Sequence, residues 1–179
     1  MILPINTYGS SILRKKAEPV GEITPELVEL AHNMLETMYK ANGVGLAAPQ
    51  IGKSIRLVVI DLAKEEEERD PIILFNPKVE PEEGDNPLVS DEEGCLSVPD
   101  IWVKVSRPGK VHLSYTNENG ERIDIRNAEG KLARCALHEV DHLNGILFVD
   151  KISVADKAMN ASKLKRMAKE NQSSGNSAL

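Results

Sequence analysis

Cysteine is scarce in this chain: two residues, Cys95 and Cys135, in 179. That is too few for a small secreted scaffold held by disulfides, so a reducing compartment is expected. A basic excess is missing as well. The formal net charge is −6, which argues against a broad nucleic-acid-binding surface. Long apolar runs are absent. The longest, around Leu57 to Ile60 and Ile146 to Val149, fall far below the ~20 residues of a membrane-spanning helix. Met1 to Thr7 has neither the basic stretch nor the apolar core of a secretory leader. These absences lead to the expectation of a soluble cytoplasmic protein with no membrane contact. Its length suits one domain with a real core.

What is present reads as a mixed α and β pattern. Thr24-Pro25-Glu26 starts a helix, with threonine as cap, proline at the first position and glutamate at the positive end of the dipole. Leu27, Ala31, Met34, Leu35 and Met38 form its apolar stripe, and Asn42-Gly43 ends it. Strands are expected at 56–61, 72–77, 111–115 and 122–125, the last two joined by a turn at 117–120. The acidic run from Lys64 to Asp70 is a solvated connection. A second helix is expected from near Asn127 to about Asn144, stopped by Gly145. A third is expected over about 153–171, followed by a small, polar tail, 172–179, that frays. With no repeat and no dividing linker, residues 1–171 read as a single α+β domain, its core at 1–152.

The strongest local pattern is His138-Glu139-Val140-Asp141-His142, which holds two of the chain's four histidines. On a helix, residues four apart share a face, so both imidazoles can point at one ion, with Glu139 placed to act on water beside it. The other two, His32 and His112, sit in ordinary helix and strand contexts. A hydrolytic metal site needs a third protein ligand. Downstream of His142 the chain offers Asp150, Asp156 and Glu170, on peripheral segments. Upstream, Glu93-Gly94-Cys95-Leu96-Ser97 presents a cysteine in an extended segment that a metal would hold as thiolate. A lone cysteine is as a rule an inert core thiol. Cys135 competes for the same role, three residues before His138, but three ligands from one short helical stretch would strain the site. Cys135 is expected to lie near the metal without binding it. Gly43-Val44-Gly45-Leu46-Ala47-Ala48-Pro49-Gln50 permits close backbone approach and ends in an amide donor, yet lacks the Lys-Ser/Thr of a phosphate loop.

In this order, the three segments resemble the peptide deformylases, and the likeness covers roughly residues 1 to 152. Ile12-Leu13-Arg14, Arg107-Pro108 and Gly145 to Asp150 extend it into the flanks. The resemblance implies mixed antiparallel sheets packed around a central metal-binding helix, with an N-terminal and a C-terminal helix. It implies Cys95, His138 and His142 as metal ligands and Glu139 as acid and base. The side-chain amide of Gln50 and the backbone N–H of Leu96 would form the oxyanion hole. Val44 and Gly45 would line the peptide path, and Arg134 and Cys135 the pocket for the methionine side chain. Glu93 would pair with Arg107 to brace the cysteine segment. The implied reaction is hydrolysis of the formyl amide on the N-terminal methionine of nascent peptides, releasing formate.

A His₂Cys site suits Zn²⁺ on affinity, whereas the resemblance implies Fe²⁺, with Zn²⁺, Ni²⁺ or Co²⁺ as substitutes. One departure stands out: Leu137 takes a position before His138 where the family usually has glutamine, which removes a polar neighbour. Trp102 reads equally as a shaper of substrate preference and as a packing residue. Lys157, Lys163, Lys165, Arg166 and Lys169 outnumber Asp156 and Glu170 on the last helix. That face is either simply solvated or a contact for ribosomal RNA. Two rival functions remain, a general zinc peptidase and a catalytically silent relative that only binds.

Overall fold

In the computed structural model, which describes residues 1–64 and 67–176, Thr24 caps α1 (Pro25–Lys40). Its hydroxyl accepts from the Leu27 amide at 3.4 Å. Seven strands follow: β1 (Gly45–Ala47), β2 (Leu57–Ile60), β3 (Ile72–Pro81), β4 (Leu88–Cys95), β5 (Val98–Pro108), β6 (Lys110–Thr116) and β7 (Arg122–Glu129). Among the described residues the remaining α-helices are α2 (Gly130–Leu143) and α3 (Val154–Asn176), with short 3-10 turns at Ser11–Arg14, Ala48–Ile51 and Phe148–Asp150. Five strands make an antiparallel sheet in the order β1-β2-β3-β6-β7, while β4 and β5 pair only with each other.

Strand alternation divides the core between two helices. Leu57 and Val59 of β2 join Ala31, Met34, Leu35 and Met38 of α1. Val58 and Ile60 face the other way and meet Cys135, Ala136 and Leu143 of α2. The sheet therefore has α1 on one face and α2 on the other. The β4–β5 hairpin closes a third cluster, in which Ile101, Val103 and Val105 pack with Leu13, Phe148 and Leu164 of α3. This is the expected α+β arrangement. Among the described residues no helix is long and apolar enough to cross a membrane.

Several boundaries differ from those read in the sequence. α2 begins at Gly130 because Ala128 and Glu129 still pair with Val111 and Lys110, and the Asn127 amide donates to Glu82 at 2.9 Å. The glycine-rich segment contains a strand, β1, paired with β2. β4 and β5 appear where only an extended cysteine segment was expected. α3 runs on through 172–176 of the segment read as a tail. Residues 177–179 of that tail, and 65 and 66 of the acidic run, lie outside the described residues.

Candidate active site

Cys95 is the last residue of β4, and the hairpin turns through Leu96 and Ser97 before Val98 pairs back with it. That tight tip aims the thiol at α2. There, His138, Glu139 and His142 lie on the buried face of the helix. One ligand atom each from Cys95, His138 and His142 lies within 4.8 Å of the others. Cys95 Sγ is 3.3 Å from His142 Nε2. The two imidazoles meet edge to face at 5.1 Å between centroids, and Phe148 stacks behind His138 at 6.0 Å.

Glu93 organises this cluster. Its carboxylate, 5% exposed, accepts two hydrogen bonds from Arg107, at 2.6 and 2.8 Å, and one each from Arg134 at 2.6 Å and His138 Nδ1 at 2.9 Å. Burial alone would raise its pKa. The bonds from Arg107 and His138 more than reverse that and hold it at about 2. The contact to Glu93 fixes the His138 tautomer, leaving Nε2 as the nitrogen for an ion. Arg107 continues to Asp141 on α2 at 2.9 Å.

Glu139 is 4% exposed, and its Oε2 has no hydrogen-bond partner among the described residues. Burial, opposed by the charge on His138, raises its pKa to about 7. The same environment sets the ring charges. Burial disfavours the His138 cation, but bonds to Cys95 and Glu93 lift its pKa to about 10. His142 is pushed well down by burial and by the neighbouring positive charge. A thiol and two imidazoles, set among the buried carboxyls of Glu93 and Glu139, form a donor set that fits a divalent ion of borderline softness.

On the opposite wall, Gln50 Nε2 lies 3.6 Å from Cys95 Sγ and donates to Ser97 Oγ at 3.0 Å. Its Oε1 accepts from the Ala47 amide at 2.9 Å, so both ends of the amide are fixed. Leu96 packs its side chain against Gly43 and Met38. Gly45 sits where a β-carbon would stand 2.5 Å from Glu139 Oε1 and 2.9 Å from Cys135 Sγ. Val44, beside it, is 55% exposed. Cys135 is buried and stands outside the three-residue cluster. Its thiol pKa is raised by burial and by the charge of Glu139.

Some residues do work the sequence did not assign. Ser97, fully buried, anchors Gln50, and the N-terminal segment holds the same region through Asn6 N to Gln50 O at 2.7 Å and Tyr8 N to Ser97 O at 2.8 Å. Ser97 was visible inside the cysteine motif, but nothing in one sequence told its hydroxyl from a turn residue. Leu137 packs with Val111, Ala128 and Ala133, on the side of α2 that meets β6 and β7. Trp102 is 69% exposed, and its ring lies against Gly94, where a β-carbon would approach it to 2.6 Å. It is not a core residue. His112 is engaged by Asp124 and, at 3.1 Å, by Arg126.

Residues 2–158 match the family model for polypeptide deformylase. The peptide deformylase of Desulfitobacterium hafniense is 50% identical over 150 residues, covering 84% of this chain and 94% of its own. That of Psychrobacter cryohalolentis is 44% identical over 178 residues, covering 97% and 92%. Among solved structures, a peptide deformylase from Synechococcus elongatus in complex with actinonin superposes with a TM-score of 0.83 at 44% identity, over 90% of this chain and 87% of that one. The Plasmodium falciparum peptide deformylase gives 0.87 at 34% identity, over 94% and 97%.

Proposed function

Because the chain belongs to the polypeptide deformylase family, and is thus a metal-dependent hydrolase of the formyl amide on nascent N-terminal methionine, we propose that Cys95, His138 and His142 hold its metal and that Glu139 moves the proton. The observation that carries this reading is the convergence of a hairpin-tip thiol and two helical imidazoles beside a buried carboxyl whose Oε2 has no hydrogen-bond partner among the described residues. When bound, the ion supplies Lewis acidity, which lowers the pKa of water and polarises the formyl carbonyl.

Glu139 takes a proton from the attacking water as the new C–O bond forms. It returns that proton to the amine nitrogen as the C–N bond breaks, giving formate and a free N-terminus. A carboxyl with a pKa near neutrality suits both halves of that transfer. Gln50 Nε2 and the Leu96 amide donate to the developing oxyanion, each such donor contributing ~10²–10³ in rate. The Ala47 and Ser97 contacts hold Gln50 in one orientation, so no reorganisation accompanies the charge. Val44 and Gly45 offer backbone to an extended peptide, with β1 an edge strand of its sheet. Arg134 and Cys135 border the pocket for the methionine side chain, and Trp102 meets the residues that follow.

The test is formate release from a short formyl-methionyl peptide, using protein prepared without air in Fe²⁺ or loaded with Ni²⁺. Release is expected to need the metal, to vanish on chelation and to leave an unformylated peptide intact. Glu139→Gln is expected to keep the metal and lose ~10²–10⁴ in kcat. A mutant within a few-fold of wild type would remove Glu139 from the mechanism, and cleavage of the unformylated control would favour a general peptidase.

Fe²⁺ is the physiological ion in this proposal, and metal analysis of protein purified anaerobically from its own cells checks it. A single catalytic domain of residues 1–171 and a cytoplasmic location belong to the same reading; limited proteolysis and cell fractionation test them. The basic residues of α3 read first as a solvated face, with a ribosome contact as the alternative to be tested. All five are exposed, whereas Leu164 is part of a core cluster and Asn171 Nδ2 donates to Thr7 Oγ1 at 2.8 Å. Truncation would therefore disturb the fold. Charge reversal at Lys165 and Arg166 is the cleaner probe, and unchanged co-sedimentation with ribosomes at low salt would count against the contact.

A further inference from the structure

The proposed ligand set is divided between two parts of the fold. Cys95 belongs to the β4–β5 hairpin, whereas His138 and His142 belong to α2. The hairpin is a separate sheet, with no ladder to the five-stranded one among the described residues. Side-chain contacts must therefore set where the thiolate stands relative to the imidazoles. Two guanidinium groups make the crossing, beside the bond from His138 Nδ1 to Glu93. Arg107 reaches from β5 to Asp141 in the C-terminal half of α2, with its other nitrogens on Glu93. Arg134 crosses the other way, from the start of α2.

Arg134 Nη1 donates to Glu93 Oε2 at 2.6 Å and to the Val105 carbonyl at 2.9 Å, and Nη2 donates to the Val89 carbonyl at 2.8 Å. One side chain thus grips both strands of the hairpin and the carboxylate between them. Its side chain is 16% exposed; the bonds to Glu93 and Val105 are partly buried, and the one to Val89 lies at the surface. Together with the bond from His138 to Glu93, the two crossings tie the hairpin to separate points along the helix. A planar fork with several donors can satisfy two carbonyls and a carboxylate together, which the point charge of lysine cannot.

Resting on the ligand set proposed above, we infer that Arg134 is a positioning residue that fixes the Cys95 thiolate against the His138 and His142 imidazoles. It does so by clamping the β4–β5 hairpin to the metal helix. Its donors are committed to the hairpin, so its weight falls on metal affinity and geometry ahead of substrate contact.

The probe is Co²⁺ alone, titrated into metal-free protein, with the thiolate-to-cobalt charge-transfer band read for thiolate placement. Thermal melting of the metal-free forms is measured alongside. Arg134→Lys keeps the buried positive charge beside Glu93, and with it the fold, but gives up the carbonyl contacts. Arg134→Met gives up all three. Both are expected to weaken Co²⁺ binding, within about 10–100-fold, with methionine the more severe, and to weaken or shift the charge-transfer band. A merely structural role would lower the melting temperature and leave that band unmoved. A Co²⁺ affinity within twofold of wild type, with an unchanged band in the lysine variant, overturns the inference whatever its melting temperature. Wild-type protein that binds Co²⁺ with no thiolate band would instead overturn Cys95 as a ligand, and the reading beneath this one.

Discussion

Gly45→Ala is a small change that should separate catalysis from folding. The new methyl group would stand 2.5 Å from Glu139 Oε1, 2.9 Å from Cys135 Sγ and 3.0 Å from Glu139 Cδ. Ordinary carbon contacts need about 3.5 Å, so the carboxyl has roughly 1 Å to give. It is the far end of a flexible side chain, whereas Cys135 Sγ is short and fixed on the buried face of α2. Glu139 is therefore the group that moves. A misplacement of about 1 Å costs ~10² in rate, close to 2.7 kcal/mol in the barrier. Overpacking would cost about 1–3 kcal/mol of stability, partly offset by the lower entropy of the unfolded chain once glycine is replaced. Formate release should show kcat down ~10²-fold in a protein that still melts cooperatively. Gly45→Ala combined with Glu139→Gln should be no slower than Glu139→Gln alone, since both act on one carboxylate. A folded Gly45→Ala enzyme with near-normal kcat, or a fully additive double mutant, would refute the reasoning.

Three further outcomes follow from the geometry. Glu93→Gln takes the shared buried carboxylate from Arg107 and Arg134 and leaves Asp141 as the acidic partner of Arg107, and should cost about 3–5 kcal/mol in urea melts; a loss below 1 kcal/mol would mean the network relaxes around it. Gly145 has φ +73 and would place a β-carbon 2.5 Å from the Arg14 carbonyl oxygen. Backbone cannot yield as a side chain can, so Gly145→Ala should destabilise by about 2–4 kcal/mol, read as a lower melting temperature. Tyr39→Phe removes a 2.6 Å bond to Asp61. Burial raises the Asp61 pKa, but bonds from Tyr39, Ala63 and Asp70 bring it below the ordinary 3.8. Its stabilisation is present above 3.8 and lost as pH falls through the lower folded value. The stability gap between wild type and Tyr39→Phe should therefore narrow in acid, and a gap constant from pH 7 to pH 2 would exclude this origin.

How much of this was legible in the sequence depended on where each signal sat. α1 was readable because Thr24 and Pro25 mark its start and its stripe is almost wholly buried. The ligand candidates were readable because side-chain chemistry is local to a motif. The hairpin was not. β5 does alternate, with Ile101, Val103, Val105 and Arg107 inward and Trp102, Lys104 and Ser106 outward, but Pro99 and Pro108 interrupt the run. In β4 the first five residues are all exposed, so no period exists to find. The end of β7 was misread as helix because its pairing with Lys110 and Val111 is a long-range fact. The buried partners of Glu93 lie 14 to 45 positions away, and only a fold can bring them together.

The bonds that join the hairpin to α2 run from protein group to protein group, through Glu93, Arg107, Arg134 and Asp141. The scaffold around the three proposed ligands is thus joined by bonds between protein groups. A site so held is expected to be emptied and refilled without refolding. With Cys95, His138 and His142 as the proposed ligands, its occupant would follow the ions that surround the protein, so the metal content of a preparation bears on its specific activity. Rates compared between laboratories gain meaning only beside the metal content of each sample.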